Sequence, residues 1–91
     1  MAFSKIELVD SEWTLIGDNV ASITFQNVSQ FPIYVNFSAS NTAPVEAVGL
    51  VYTSWQKEVK KTVTDLTYTS TPNYVYAKAM SGRSSVLVET P

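Results

Sequence analysis

Cysteine and histidine are both missing from this chain. Without a thiol there is neither a disulfide framework nor a cysteine nucleophile, and without an imidazole the Ser-His-Asp arrangement and the usual zinc sites lack their parts. Charge is scarce too: Asp, Glu, Lys and Arg make up 15% of the residues, against roughly 25% in an ordinary globular protein. Six scattered cations at a net charge of −2 cannot supply the cluster needed to release counterions from a phosphate backbone, so nucleic acid is not an expected partner. Lys57, Lys60 and Lys61 come nearest to a cluster, but Glu58 lies among them, and the segment reads as a solvated charged turn. Gly17, Gly49 and Gly82 stand alone, which removes the phosphate-cradling loop. A calcium loop would want alternating acidic residues, and none occur. No apolar run approaches the roughly 18 residues of a membrane helix. The amino terminus has no apolar stretch behind a basic start, so a signal peptide is not expected either.

What the chain has is strand chemistry. With 91 residues it is read as one domain, 1–91, near the lower end of what carries its own core, so extra burial at a subunit interface is a natural supplement. Hydrophobic residues make up 45% of it, and Ser and Thr fill 21 positions, a neutral polar surface suited to packing against other proteins. β-branched and aromatic residues recur in short runs separated by turn formers, which predicts an all-β domain.

The runs fall at 3–9, 12–16, 20–27, 31–38, 48–54, about 58–64, 73–80 and 85–90. In 20–27, Ala21, Ile23 and Phe25 share one face; in 31–38, Ile33, Val35 and Phe37 do, with Pro32 at the strand start where a missing donor is tolerated. These two segments are expected to pair as a hairpin. So are 73–80 and 85–90, where Val75, Ala77 and Ala79 alternate with Tyr74, Tyr76, Lys78 and Met80, and Ser81-Gly82 supplies the reversal. Residues 39–47 lack periodicity and read as the longest loop, crossing between sheets. Trp55, Val59 and Val63 are spaced four apart, which suits a helix face and a strand face equally. The β-rich surroundings favour a strand, with one helical turn at 55–58 as the alternative. Seven or eight short strands in this spacing predict a single small antiparallel β-sandwich or jelly-roll-like domain.

Few residues offer chemistry. Asp10, Glu12, Asp18, Glu46, Glu58, Asp65 and Glu89 could in principle form a carboxylate pair, but each reads as a turn or strand-end carboxylate, so no catalyst is expected, and no metal or cofactor. Asn27-Val-Ser and Asn36-Phe-Ser match the glycosylation acceptor and are read as chance tripeptides. The aromatics carry more interest. Tyr34, Tyr74 and Tyr76 lie on the strand face opposite the aliphatic one; exposed together with Tyr52 or Trp55, they could fill a partner's pocket or stack on sugar rings. The bland reading makes them cross-strand pairs that stabilise a sheet.

The stretch Pro32-Ile-Tyr-Val-Asn-Phe-Ser-Ala-Ser-Asn-Thr-Ala-Pro, with Gly49-Leu-Val, Val63-Thr-Asp-Leu and Val75-Tyr-Ala-Lys-Ala-Met-Ser-Gly-Arg-Ser-Ser-Val-Leu-Val-Glu, resembles small β-sandwich accessory proteins of tailed-bacteriophage virions. Where such chains often carry a Pro-Gly-Glu turn before the sixth strand, this one has Trp55-Gln-Lys-Glu-Val-Lys-Lys, which suggests a region adapted to a different contact. The resemblance implies a non-enzymatic structural protein of the virion, made in the host cytoplasm. Within that class the expected role is a capsid decoration protein that binds neighbouring capsid subunits, and the weakly charged surface and small core favour a homo-oligomer, a trimer first. A small head-tail or tail component is the alternative within that class, and a carbohydrate-binding module using the Tyr and Trp residues is the alternative outside it.

Overall fold

Alternation of apolar and polar residues builds eight strands in a computed structural model that describes residues 3–91. They are β1 (Ser4–Val9), β2 (Thr14–Gly17), β3 (Ser22–Asn27), β4 (Ile33–Ser38), β5 (Leu50–Tyr52), β6 (Lys57–Thr62), β7 (Tyr74–Ala79) and β8 (Arg83–Glu89). Burial in β3 and β4 alternates residue by residue, as a half-buried strand requires. Ile23 and Phe25, then Ile33, Val35 and Phe37, form the inward rows. The segment over 58–64 is a strand at Lys57–Thr62, followed by a short 3-10 turn at Val63–Asp65.

Two antiparallel four-stranded sheets result, β1-β8-β3-β6 and β2-β7-β4-β5. Four of the pairings, β4 with β5, β3 with β6, β2 with β7 and β1 with β8, are nested inside one another. The chain is thus one long antiparallel ribbon, turned back at β4–β5 and rolled so that its rungs fall alternately in the two sheets. Rolling brings β8 beside β3 and β7 beside β4. This is the jelly-roll form of the sandwich.

The rolled topology corrects the two expected hairpins. β7 and β8 belong to opposite sheets, as do β3 and β4. Ser81-Gly82 and the 28–32 segment are therefore crossovers between layers. A tight turn with Gly82 at a φ of 64° serves either purpose, so the local signal could not discriminate. The 39–49 loop, in turn, does not cross between sheets: it joins β4 to its neighbour β5 in the same sheet. The strand expected over 48–54 shrinks to Leu50–Tyr52.

Between the layers, Leu8, Ile23, Phe25, Ile33, Val35, Val63, Val75, Ala77 and Val86 are almost fully enclosed. At roughly 1.5–3 kcal/mol for each fully buried large aliphatic or aromatic side chain, this core is the main stabilising term. Phe25 and Tyr52 meet edge to face, with ring centroids 4.9 Å apart. Two polar side chains are buried among the described residues, Ser84, whose hydroxyl has no hydrogen-bond partner, and Asn27, which is fully enclosed. Asn27 is the one tied into the structure. Its amide donates to the carbonyls of Phe31 (2.8 Å) and Tyr52 (3.0 Å), and its oxygen accepts from the Ser29 N–H (2.9 Å) and hydroxyl (2.6 Å).

Candidate docking end of the sandwich

Every connection between successive strands except β4–β5 passes from one sheet to the other, and alternate crossovers, 10–13, 28–32, 53–56 and 80–82, collect at one end of the molecule. They are stitched sideways to one another. The Gly82 N–H donates to Asp10 Oδ2 at 2.8 Å, the Met80 N–H to the Pro32 carbonyl at 3.3 Å, and Ser54 Oγ to the Ser29 carbonyl at 2.6 Å. The Trp55 N–H donates to the Asn27 carbonyl at 2.8 Å. Backbone groups held this way make a fixed wall rather than a set of independent loops.

Three large apolar side chains stand on this wall: Phe31 is 54% exposed, Trp55 62% and Met80 39%. Trp55 is the most telling. Its turn is closed by the Gln56 N–H on the Thr53 carbonyl at 3.0 Å and by Gln56 Oε1, which accepts from the Thr53 N–H at 2.7 Å and hydroxyl at 3.0 Å. Trp55 occupies the third position of that turn with φ of 70°, where glycine is the ordinary occupant. A tryptophan in the left-handed region costs on the order of 1–2 kcal/mol against glycine. Gln26 Nε2 clamps its carbonyl at 2.9 Å, so main chain is held on both sides while the indole stays out in solvent.

The other aromatics expected to act together are divided. Tyr34, Tyr74 and Tyr76 do share the outer face of the β2-β7-β4-β5 sheet, but Tyr76 is only 4% exposed. The 39–49 loop crosses that face: Asn36 Nδ2 donates to the Val48 carbonyl and Trp13 Nε1 to the Glu46 carbonyl, both at 3.0 Å. Burial, with Asp18 and Tyr74 nearby, raises the Tyr76 phenol above its ordinary range. Lys78 Nζ lies 4.7 Å from the Trp13 ring centroid and 5.9 Å from that of Tyr34, so cation contacts occupy these rings.

Tyr52 corrects the expectation of an exposed group. It points into the core at 8% exposure, and its hydroxyl donates to Glu58 Oε2 at 3.0 Å. Burial first, then that carboxylate, push its phenol well above the usual range.

Phe31 and Met80 escaped the sequence reading because both fall in phase with or beside a strand. Pro32, which lacks a donor, delays β4 until Ile33 and leaves Phe31 in the crossover. A large apolar residue next to a turn-forming Pro or Ser-Gly was the available signal. Among the described residues no three Asp or Glu side chains are grouped to hold a metal ion. Asn27, the first residue of one glycosylation tripeptide, is enclosed, and the Asn36 amide of the other donates to the loop.

The chain matches no family model, and no curated protein or solved structure is significantly similar to it.

Proposed function

We propose that this protein is a non-enzymatic docking module of a bacteriophage virion, most specifically a capsid decoration protein that seats its crossover end on neighbouring capsid subunits. The observation that carries the reading is Trp55: an exposed indole kept on strained backbone, in a turn tied down by hydrogen bonds from Thr53, Ser54 and Gln56, is retained for something outside the fold. Phe31 and Met80 extend it into an apolar patch on a rigid wall, the arrangement that loses least entropy on binding. The strand and turn resemblance to phage accessory proteins supplies the partner class. The jelly roll recurs in viral capsid domains, though a fold alone does not assign a function.

A sugar platform is less well supported, because the tyrosine face is crossed by the 39–49 loop and Lys78 sits over the half-buried rings of Trp13 and Tyr34. The deciding experiment is co-sedimentation of purified protein with particles of its phage that lack it. Binding that falls roughly 30-fold or more for Trp55→Ala, the loss of a hot-spot side chain worth about 2 kcal/mol, supports the reading. Failure of the unaltered protein to sediment with the particles rejects it.

A further inference from the structure

Each sheet of this sandwich has two open edges, and three of the four are blunted. β2 has four residues and a register shift, and β5 has three residues. β6 is interrupted by a bulge at Lys60, where φ is 48°, and bears Lys57, Lys60 and Lys61. Short length, bulges and clustered lysines are the usual means of stopping a strand edge from pairing with another molecule. β1 has none of them. Its six residues, Ser4–Val9, run in unbroken register along β8 from Ser4 opposite Val88 to Val9 opposite Arg83. Its other side is the free edge of the sheet.

The side chains along β1 and the residue before it form a pattern that is complementary to its own reverse. Phe3, Lys5, Glu7 and Val9 are on the outer face, in the order apolar, positive, negative, apolar. Ser4, Ile6 and Leu8 are on the inner face, with Ile6 at the centre. We propose that β1 pairs antiparallel with β1 of a second copy of this chain, about a two-fold axis through Ile6, joining two four-stranded sheets into one of eight.

In that register Lys5 lies opposite Glu7 of the other copy twice over, Phe3 lies opposite Val9 twice over, and Ile6 faces itself. Opposite charges and apolar groups directly across a strand pair both stabilise it. The neighbouring registers fail. Centring on Lys5 or Glu7 sets like charges face to face, and a shift by one residue sets outward side chains against inward ones. The contact is isologous and closes at two copies, so a trimer would use a different surface. It stands independently of the virion reading: failure to bind particles leaves this edge untouched, and a monomer could still bind them.

Sedimentation equilibrium over a concentration series reaching the millimolar range tests it. The unaltered protein should approach twice the monomer mass. Lys5→Glu should weaken association by tenfold or more, and Lys5→Glu combined with Glu7→Lys should restore it, because the reversed pattern is still self-complementary. Circular dichroism confirms that each variant is folded. Since the chain has no cysteine, Ile6→Cys gives a second readout: oxidation should link two copies through the one pair of thiols the register opposes. A protein that remains monomeric across the series overturns the proposal. So does undiminished association of Lys5→Glu, a double variant as weak as the single one, or absence of the cross-link.

Discussion

The side-chain amide of Asn27 donates to the main-chain carbonyl of Tyr52 at 3.0 Å, joining the end of β3 in one sheet to the end of β5 in the other. With its bonds to Phe31 and Ser29, the fully buried amide holds the crossover end to the core. All its donors and acceptors are used, which is the condition under which a buried polar group stabilises.

Asn27→Ala would take a donor from the Tyr52 carbonyl and the acceptor from the Ser29 N–H, and would leave the Phe31 carbonyl only the Ser29 hydroxyl. At about 1–3 kcal/mol for an enclosed group left unpaired, and with a cavity added, the expected loss is roughly 3 kcal/mol. The urea midpoint should fall accordingly. Asn27→Asp keeps the acceptor and loses both donors, so it should fare little better.

Trp55→Gly should separate stability from binding. Glycine takes a φ of 70° without a Cβ penalty, so the variant should gain up to about 1 kcal/mol in denaturant unfolding, or lose none. It should lose attachment to particles at the same time. A variant that is clearly destabilised would mean that the indole packs on its own protein.

Alkaline pH should unfold this protein through its buried tyrosines. Tyr52 and Tyr76 both have raised folded-state values, whereas phenols of the unfolded chain titrate near about 10. The folded state therefore holds these protons more tightly. The resulting stability is complete below about pH 10 and is lost as pH rises through the folded values. Tyr52→Phe should lower stability at neutral pH, because Glu58 loses its donor, and should flatten the decline above pH 10. Urea midpoints measured against pH for both proteins check this; parallel curves would assign the decline elsewhere.

Gly49→Ala should be among the most damaging small substitutions. A Cβ there would run into the Val35 carbonyl and backbone, where neither side can give way. The expected cost is about 1–3 kcal/mol of overpacking. Displacement of the 39–49 loop should accompany it, seen as faster hydrogen exchange around Tyr76. At Gly82, where a Cβ would meet nothing within 4 Å, alanine carries only the positive-φ penalty of roughly 1–2 kcal/mol.

Much of the site was hidden for a reason visible in single residues. Tyr34, Tyr74 and Tyr76 were legible as one outward face because period two settles which side of a strand a residue takes. Nothing in that period tells that the 39–49 loop would fold back onto this face, held by hydrogen bonds from Trp13 and from Asn36, the cross-strand neighbour of Tyr76. Tyr52 falls in an edge strand of three residues, too short for alternation to declare a face. Phe31, Trp55 and Met80 come from separate crossovers, and only the rolling of the ribbon brings their ends of the chain together.

The order of side chains alone determined that this is a two-layered β protein and which residues point inward: Ile23 with Phe25, Ile33 with Val35 and Phe37, Val75 with Ala77 and Ala79. Pairing of the strands was decided only in three dimensions. The segments 74–79 and 83–89 are joined by a turn that suits a hairpin, yet β8 lies between β1 and β3, while β7 lies between β2 and β4. Alternation is a local property, satisfied equally by a neighbour in the same sheet or a facing row in the other. The choice between them depends on enclosing every apolar row at once, a condition on the whole chain that no single segment can express.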